Sequence, residues 1–125
     1  LTPSAAADRL VMGLRAVAVI GLAAIPLNHA ILARLLAIVE TVRAGDPFVA
    51  VNAARLQVIA RVLLTLQLLG LGVSAIGRAV AIPGRPLDLD AGFSVNGWLA
   101  VLLTFLLARV FAEGTQMRDD LEGTV

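Results

Sequence analysis

The chain contains no cysteine and no lysine, has a single histidine, and is charged at only 15% of its residues, against roughly 25% in an ordinary soluble domain. Without cysteine there is no disulfide framework, no thiolate metal site and no cysteine nucleophile. One histidine, His29, leaves any haem or metal without a second strong ligand, because no acidic residue lies in the middle of the apolar stretch around it. The ten basic residues are all arginine, well separated, and the net charge is +1. No basic stripe tracks a phosphate backbone, so direct nucleic-acid binding is not expected. Neither a catalytic residue nor a cofactor is expected.

What is present is apolar: 59% of the 125 residues are hydrophobic and the mean hydropathy is +0.93. A chain this short and this greasy cannot cover its own surface with polar groups, which points to a bilayer. Uncharged stretches run from Ala16 to Ala33, Val62 to Gly77 and Ala91 to Ala108. Each falls a little short of the roughly 20 helical residues that cross a hydrocarbon core. The flanking Arg15, Arg34, Arg61, Arg78 and Arg109 make up the difference, since an arginine stem lies in the apolar zone while its head reaches water.

Leucine and alanine dominate these stretches without regular alternation, and capping residues separate them, so helices are expected and a barrel is not. The expected fold is all-α, an integral membrane helical bundle with spans near 16–38, 58–80 and 93–112, an outer loop at 81–92 and a tail at 113–125. The arginine-only, alanine-rich composition suggests a bacterial genome rich in GC. Six arginines (Arg34, Arg43, Arg55, Arg61, Arg109 and Arg118) fall on the side of the elbow and tail and four on the other, which makes the elbow and tail cytoplasmic. Leu1 is not methionine and LTPSAAADRL has no apolar signal core, so an earlier span is expected before it.

The elbow, RAGDPFVAVNAARL at 43–56, carries the densest punctuation. Gly45 suits the left-handed residue that closes a helix, Asp46 a cap for the next, and Pro47 a first helical turn. A short amphipathic elbow helix is expected over 43–57. Between the second and third spans AIPGRPLDLDAG reads as a loop, with Ser94 or Asn96 opening the last helix and Gly114 stopping it. The segment 114–125 is expected to form one further amphipathic turn or two, with Met117 and Leu121 on one side.

Polar residues inside the spans are few. Pro26 is expected to bend the first helix, with Asn28 and His29 holding a neighbouring helix; Gln67 is read in the same way. A small transporter or cofactor carrier centred on His29 is the alternative for this group. Gly70, Gly72 and Ala75 match a loose dinucleotide-binding pattern in the wrong context, inside an apolar helix. Gly70, Ser74 and Gly77 recur at three- and four-residue steps, the face on which membrane helices approach closely. Trp98 and Phe93 suit an interfacial anchor. Asp88 and Asp90 on one side, and Glu113, Asp119, Asp120 and Glu122 on the other, lack any accompanying nucleophile or histidine and are expected to be solvated.

Two stretches, GDPFVAVNAARL at 45–56 and LARVFAEGTQMRDDLEGTV at 107–125, together resemble the bacterial family catalogued as domain of unknown function 2975. Its members are small multi-span inner-membrane proteins with a G-x-P-F-x-x-x-N-x-x-R-L junction and a terminal F-x-x-G-x-x-L-x-x-D/E-x-x-x-T-V/I. The matching positions are Gly45, Pro47, Phe48, Asn52, Arg55 and Leu56, then Phe111, Gly114, Asp120, Thr124 and Val125. Val51 stands where relatives often carry an acid, and Met117 replaces a leucine. The resemblance implies one further N-terminal span, no activity, and a regulatory link, because relatives are often encoded beside small helix-turn-helix proteins.

Phe48, Asn52, Arg55, Glu113, Asp119 and Asp120 therefore form the expected partner-binding cluster, with Asn52 and Arg55 reaching toward the tail acids; the alternative is that the same cluster only locks the protein's own spans together. The expected function is that of a non-enzymatic interaction protein holding a cytosolic regulator at the membrane. An accessory subunit of a larger membrane complex, or a homo-oligomer packed through Gly70, Ser74 and Gly77, is the other expectation.

Overall fold

The computed structural model describes residues 2–80 and 94–123. The expected outer loop with Asp88 and Asp90, Phe93, and the terminal Thr124 and Val125 lie outside them. Three helices account for nearly all the rest: α1 (Pro3–Arg43), α2 (Ala50–Ala79) and α3 (Val95–Gly123). All three are long and apolar enough to cross a membrane, so the protein is an all-α, multi-pass membrane protein.

The helix ends follow local chemistry. Thr2 Oγ1 accepts from the Ala5 amide ahead of Pro3, which suits a first turn that needs no amide hydrogen. Ser94, not Asn96, caps α3 through the Gly97 amide at 3.2 Å. At the end of α1 the Gly45 amide bonds to the Val42 carbonyl and the Asp46 amide to the Thr41 carbonyl, with Gly45 at φ 83°. This paired closure needs a left-handed residue. Nothing lies within 4 Å of a Cβ placed on Gly45, so Gly45→Ala should lose only the backbone term, about 1 kcal/mol. Thermal unfolding in detergent checks it, and a loss several times larger would mean that the turn packs against something.

Two expectations need correction. There is no separate elbow helix: α1 ends at Arg43, residues 44–49 form the turn, and 50–57 are the opening turns of α2. Val49, without a side-chain cap bond, takes the N-cap position assigned to Asp46, whose carboxylate pairs with Arg118 instead. Nor does Gly114 stop α3, which continues to Gly123. The Arg109–Glu113 and Arg118–Glu122 pairs, each four residues apart, brace the helix on both sides of the glycine.

α2 is the centre. Both α1 and α3 pack on it, and among the described residues no Cα of α1 comes within 8 Å of a Cα of α3. The seam of α2 runs through Asn52, Leu56, Ile59, Leu63, Gly70, Ser74 and Gly77, mostly at steps of three or four. Its large residues lie near the elbow, where Leu56, Ile59 and Ala108 are buried against Ile31, Ile38, Leu63 and Phe111. Its small residues lie at the other end. There Gly77 is buried, Ser74 Oγ is enclosed, and Gly13 of α1 sits so close to Ile76 and Val80 that a Cβ would fall 2.7 Å from a Val80 methyl. Missing side chains let these backbones approach.

The contacts also set the depth. With Gly13 against Ile76 and Val80, and Thr41 bonded to Asn52, Arg15 falls level with Arg78, and Arg34 comes within a turn of Arg61. The two levels are separated by about 26–28 Å of helix, close to the roughly 30 Å of a hydrocarbon core. Gln67 lies against Gly97, so α3 starts opposite the middle of α2 and is displaced toward the elbow. Gly114 faces Phe48, and the two and a half turns from Thr115 to Gly123 run past it.

Candidate interaction site at the elbow and tail

The elbow is built around one side chain. Asn52 is 0% exposed, and its amide donates to Thr41 Oγ1 at 2.7 Å and to the Pro47 carbonyl at 2.8 Å. Its oxygen accepts from Arg55 Nη1 at 2.8 Å. Thr41 in turn donates to the Ile38 carbonyl. Two donors and an acceptor on one planar amide thereby tie α1, the turn and α2 together, and every polar atom of the buried amide has a partner.

The tail is fastened to this elbow by different residues. Arg118 Nη1 pairs with Asp46 and also donates to the Phe48 carbonyl at 3.4 Å, while its Nε donates to Glu122 at 3.3 Å. The Phe48 ring lies over Gly114 and packs on Phe111 with centroids 5.4 Å apart at 37°. A Cβ on Gly114 would come within 2.8 Å of that ring. Below it, Asp46, Phe48, Thr115, Arg118, Asp119 and Glu122 line an open notch.

The six residues expected to meet a partner are thus distributed unequally. Phe48 joins elbow to tail. Asn52 is internal and presents nothing to a partner. Arg55 serves Asn52 instead of the tail acids, and Glu113 pairs with Arg109 at 3.5 Å. Asp119 borders the notch and Asp120 is exposed. The link expected of Arg55 is made by Arg118 and Asp46, 72 residues apart. Only the acidic tail and the cation-rich side were visible in the sequence, not which arginine would close the gap.

Within the spans, Gln67 packs its amide on Gly97 of α3, as a helix-to-helix contact should. Asn28 does not hold a neighbouring helix: its amide donates to the Ala24 carbonyl one turn back at 2.9 Å. His29 is exposed on the same helix. A polar side chain on a lipid-facing surface satisfies itself from its own backbone when no neighbour is in reach. Trp98 is half-buried with Nε1 enclosed instead of displayed at the surface. Among the described residues no group of three or more histidine, cysteine or acidic side chains is placed to hold a metal ion.

Three apolar helices joined by one hydrogen-bonded elbow, with a charged helical tail fastened across it, define a small multi-pass helical membrane protein. The family model described as Protein of unknown function (DUF2975) matches residues 2–125, and the chain belongs to that family. No curated protein and no solved structure matches it.

Proposed function

We propose that the protein is a non-enzymatic interaction protein of the bacterial inner membrane that holds a second, cytosolic protein at its elbow-and-tail end. The observation that carries this reading is the end of α3. Met117 and Leu121 are 67% and 71% exposed, one turn apart on a helix that has already passed the elbow. Glu113 and Asp120 flank them on the same side. Lipid has no need for an apolar pair in that position, and a monomer gains nothing by wetting it. The surface suits the apolar stripe of a basic amphipathic helix. A cytosolic helix-turn-helix regulator is the partner suggested by the family resemblance. The arginine excess on this side supports its facing the cytoplasm.

The double variant Met117→Asp/Leu121→Asp tests it. Each side chain buried in a partner contributes about 1.5–3 kcal/mol, so together they should weaken co-purification from native membranes in mild detergent by more than tenfold. The Asp46–Arg118 and Phe48–Phe111 contacts stay in place. Equal recovery of the same companion protein from wild type and variant would overturn the assignment of this surface.

A second reading, an accessory subunit of a larger membrane assembly, is favoured by the separation of α1 from α3. The most apolar window of α1 buries none of its residues within the chain, so a further membrane helix can lie beside it without displacing anything. A companion retained by the tail variant and spanning the membrane itself would support this reading over the first.

A further inference from the structure

We infer that the outer groove between α2 and α3 at the elbow side is a binding site for one anionic phospholipid. Its headgroup would sit in the groove with the phosphate between Arg61 and Arg109, and its acyl chains would leave past Arg61 into the apolar zone. The groove is an open cleft of about 430 Å³ lined by Ala53, Ala54, Gln57, Phe105, Ala108 and Ala112, with Arg109 at its rim. Alanines leave an open cleft that larger side chains would fill, on the elbow side of Arg61 and so at headgroup depth. Gln57 and Arg109 supply the polar groups at the mouth.

The order of charges along each helix places lipid phosphates at this depth. Leaving the apolar zone toward the elbow, the first charge is Arg34 on α1, Arg61 on α2 and Arg109 on α3. The carboxylates Glu40, Asp46 and Glu113 all come later. α2 carries no acidic residue along its whole length. A cationic layer next to the hydrocarbon, with acids only beyond it, is complementary to a layer of phosphates.

Of the arginines at this end, the pair beside the groove has donors free to meet a phosphate there. Arg55 is committed to Asn52 and Arg34 donates to its own helix at the Ala30 carbonyl. Among the described residues the Arg61 guanidinium has no hydrogen bond or ion pair. Arg109 engages Glu113 through Nε alone, at 3.5 Å and with its side chain 80% exposed. Arg61 lies four residues after Gln57 and seven after Ala54, on the same face of α2. Helical side chains lean toward their N-terminus, which for α2 is the elbow, so Arg61 inclines toward the groove mouth. Two cations around one phosphate, with no carboxylate between them, favour a lipid of net negative charge over a zwitterionic one.

This site is separate from the tail surface, and its test does not depend on any protein partner. The purified full chain in neutral detergent would be titrated with phosphatidylglycerol or with phosphatidylcholine, and bound lipid counted by native mass spectrometry. One phosphatidylglycerol should be retained in preference to phosphatidylcholine. Arg61→Gln and Arg109→Gln should each weaken retention about fivefold, while Arg78→Gln at the other end should not. Ala54→Leu/Ala112→Leu, which fills the groove from exposed positions and leaves both cations, should lose the lipid as well. Equal retention of the two lipids, retention unaffected by either arginine variant or by the filled groove, or displacement of the lipid by inorganic phosphate would each overturn the proposal.

Discussion

Asn52→Leu should cost about 3 kcal/mol or more and loosen the junction of α1 and α2, although leucine has the same branched skeleton as asparagine and would suit a membrane protein's interior. The loss comes from what is left behind. Thr41 Oγ1 and the Pro47 carbonyl lose a buried donor, and Arg55 keeps its charge beside an apolar side chain, each at a penalty of about 1–3 kcal/mol. Asn52→Asp should be nearly as damaging despite the nearby arginine, because a carboxylate cannot donate to the Pro47 carbonyl and would face it at close range. Unfolding in detergent, followed by helicity, gives the magnitude. A proteolytic cut confined to residues 44–50 would show that the elbow opens first. Asn52→Leu as stable as wild type would mean that the hydrogen bonds at this amide contribute nothing net.

Gly114→Leu should have the next largest effect, about 2–3 kcal/mol, and should act on the tail more than on the spans. Its Cβ alone collides with the Phe48 ring, and its remaining carbons would drive that ring off Phe111. The gain in helix propensity over glycine, about 1 kcal/mol, offsets only part of this. Because the collision is with one side chain, Phe48→Ala in the same molecule should recover much of the loss, a non-additivity expected of touching residues. Protease sensitivity of 115–123, compared across wild type, the single variants and the double, measures it. Losses that simply add would show that Gly114 and Phe48 are not in contact.

These two sites also mark where reading the sequence succeeded and where it stopped. The three helices were legible because long uncharged stretches, broken by Gly, Pro and Asp, allow few alternatives in a chain with so little charge. Gly45 was legible because a left-handed helix closure is a demand on a single residue. Gly114 was misread for a related reason: the same missing Cβ serves a helix end or a close approach by a distant ring, and nothing near it in sequence tells them apart. Asp46 looked like a cap because capping is local, whereas its partner is 72 residues away. Asn52 and Arg55 were noticed together, but which carboxylate or amide each would find depends on how the helices turn about their axes. Asn28 shows the converse limit, since its partner was its own backbone.

The open arrangement around α2 has a consequence for the surrounding bilayer. Three helices in a closed triangle would each hide two flanks. Here α1 and α3 hide one each, so the chain displays a longer perimeter and must be ringed by more boundary lipids than three helices need. Those lipids are more restrained than their neighbours, and freeing them favours lateral contact between helices in a membrane. At rising surface density the chain should therefore be drawn into contact with other membrane helices along its perimeter, without any polar contact to direct it.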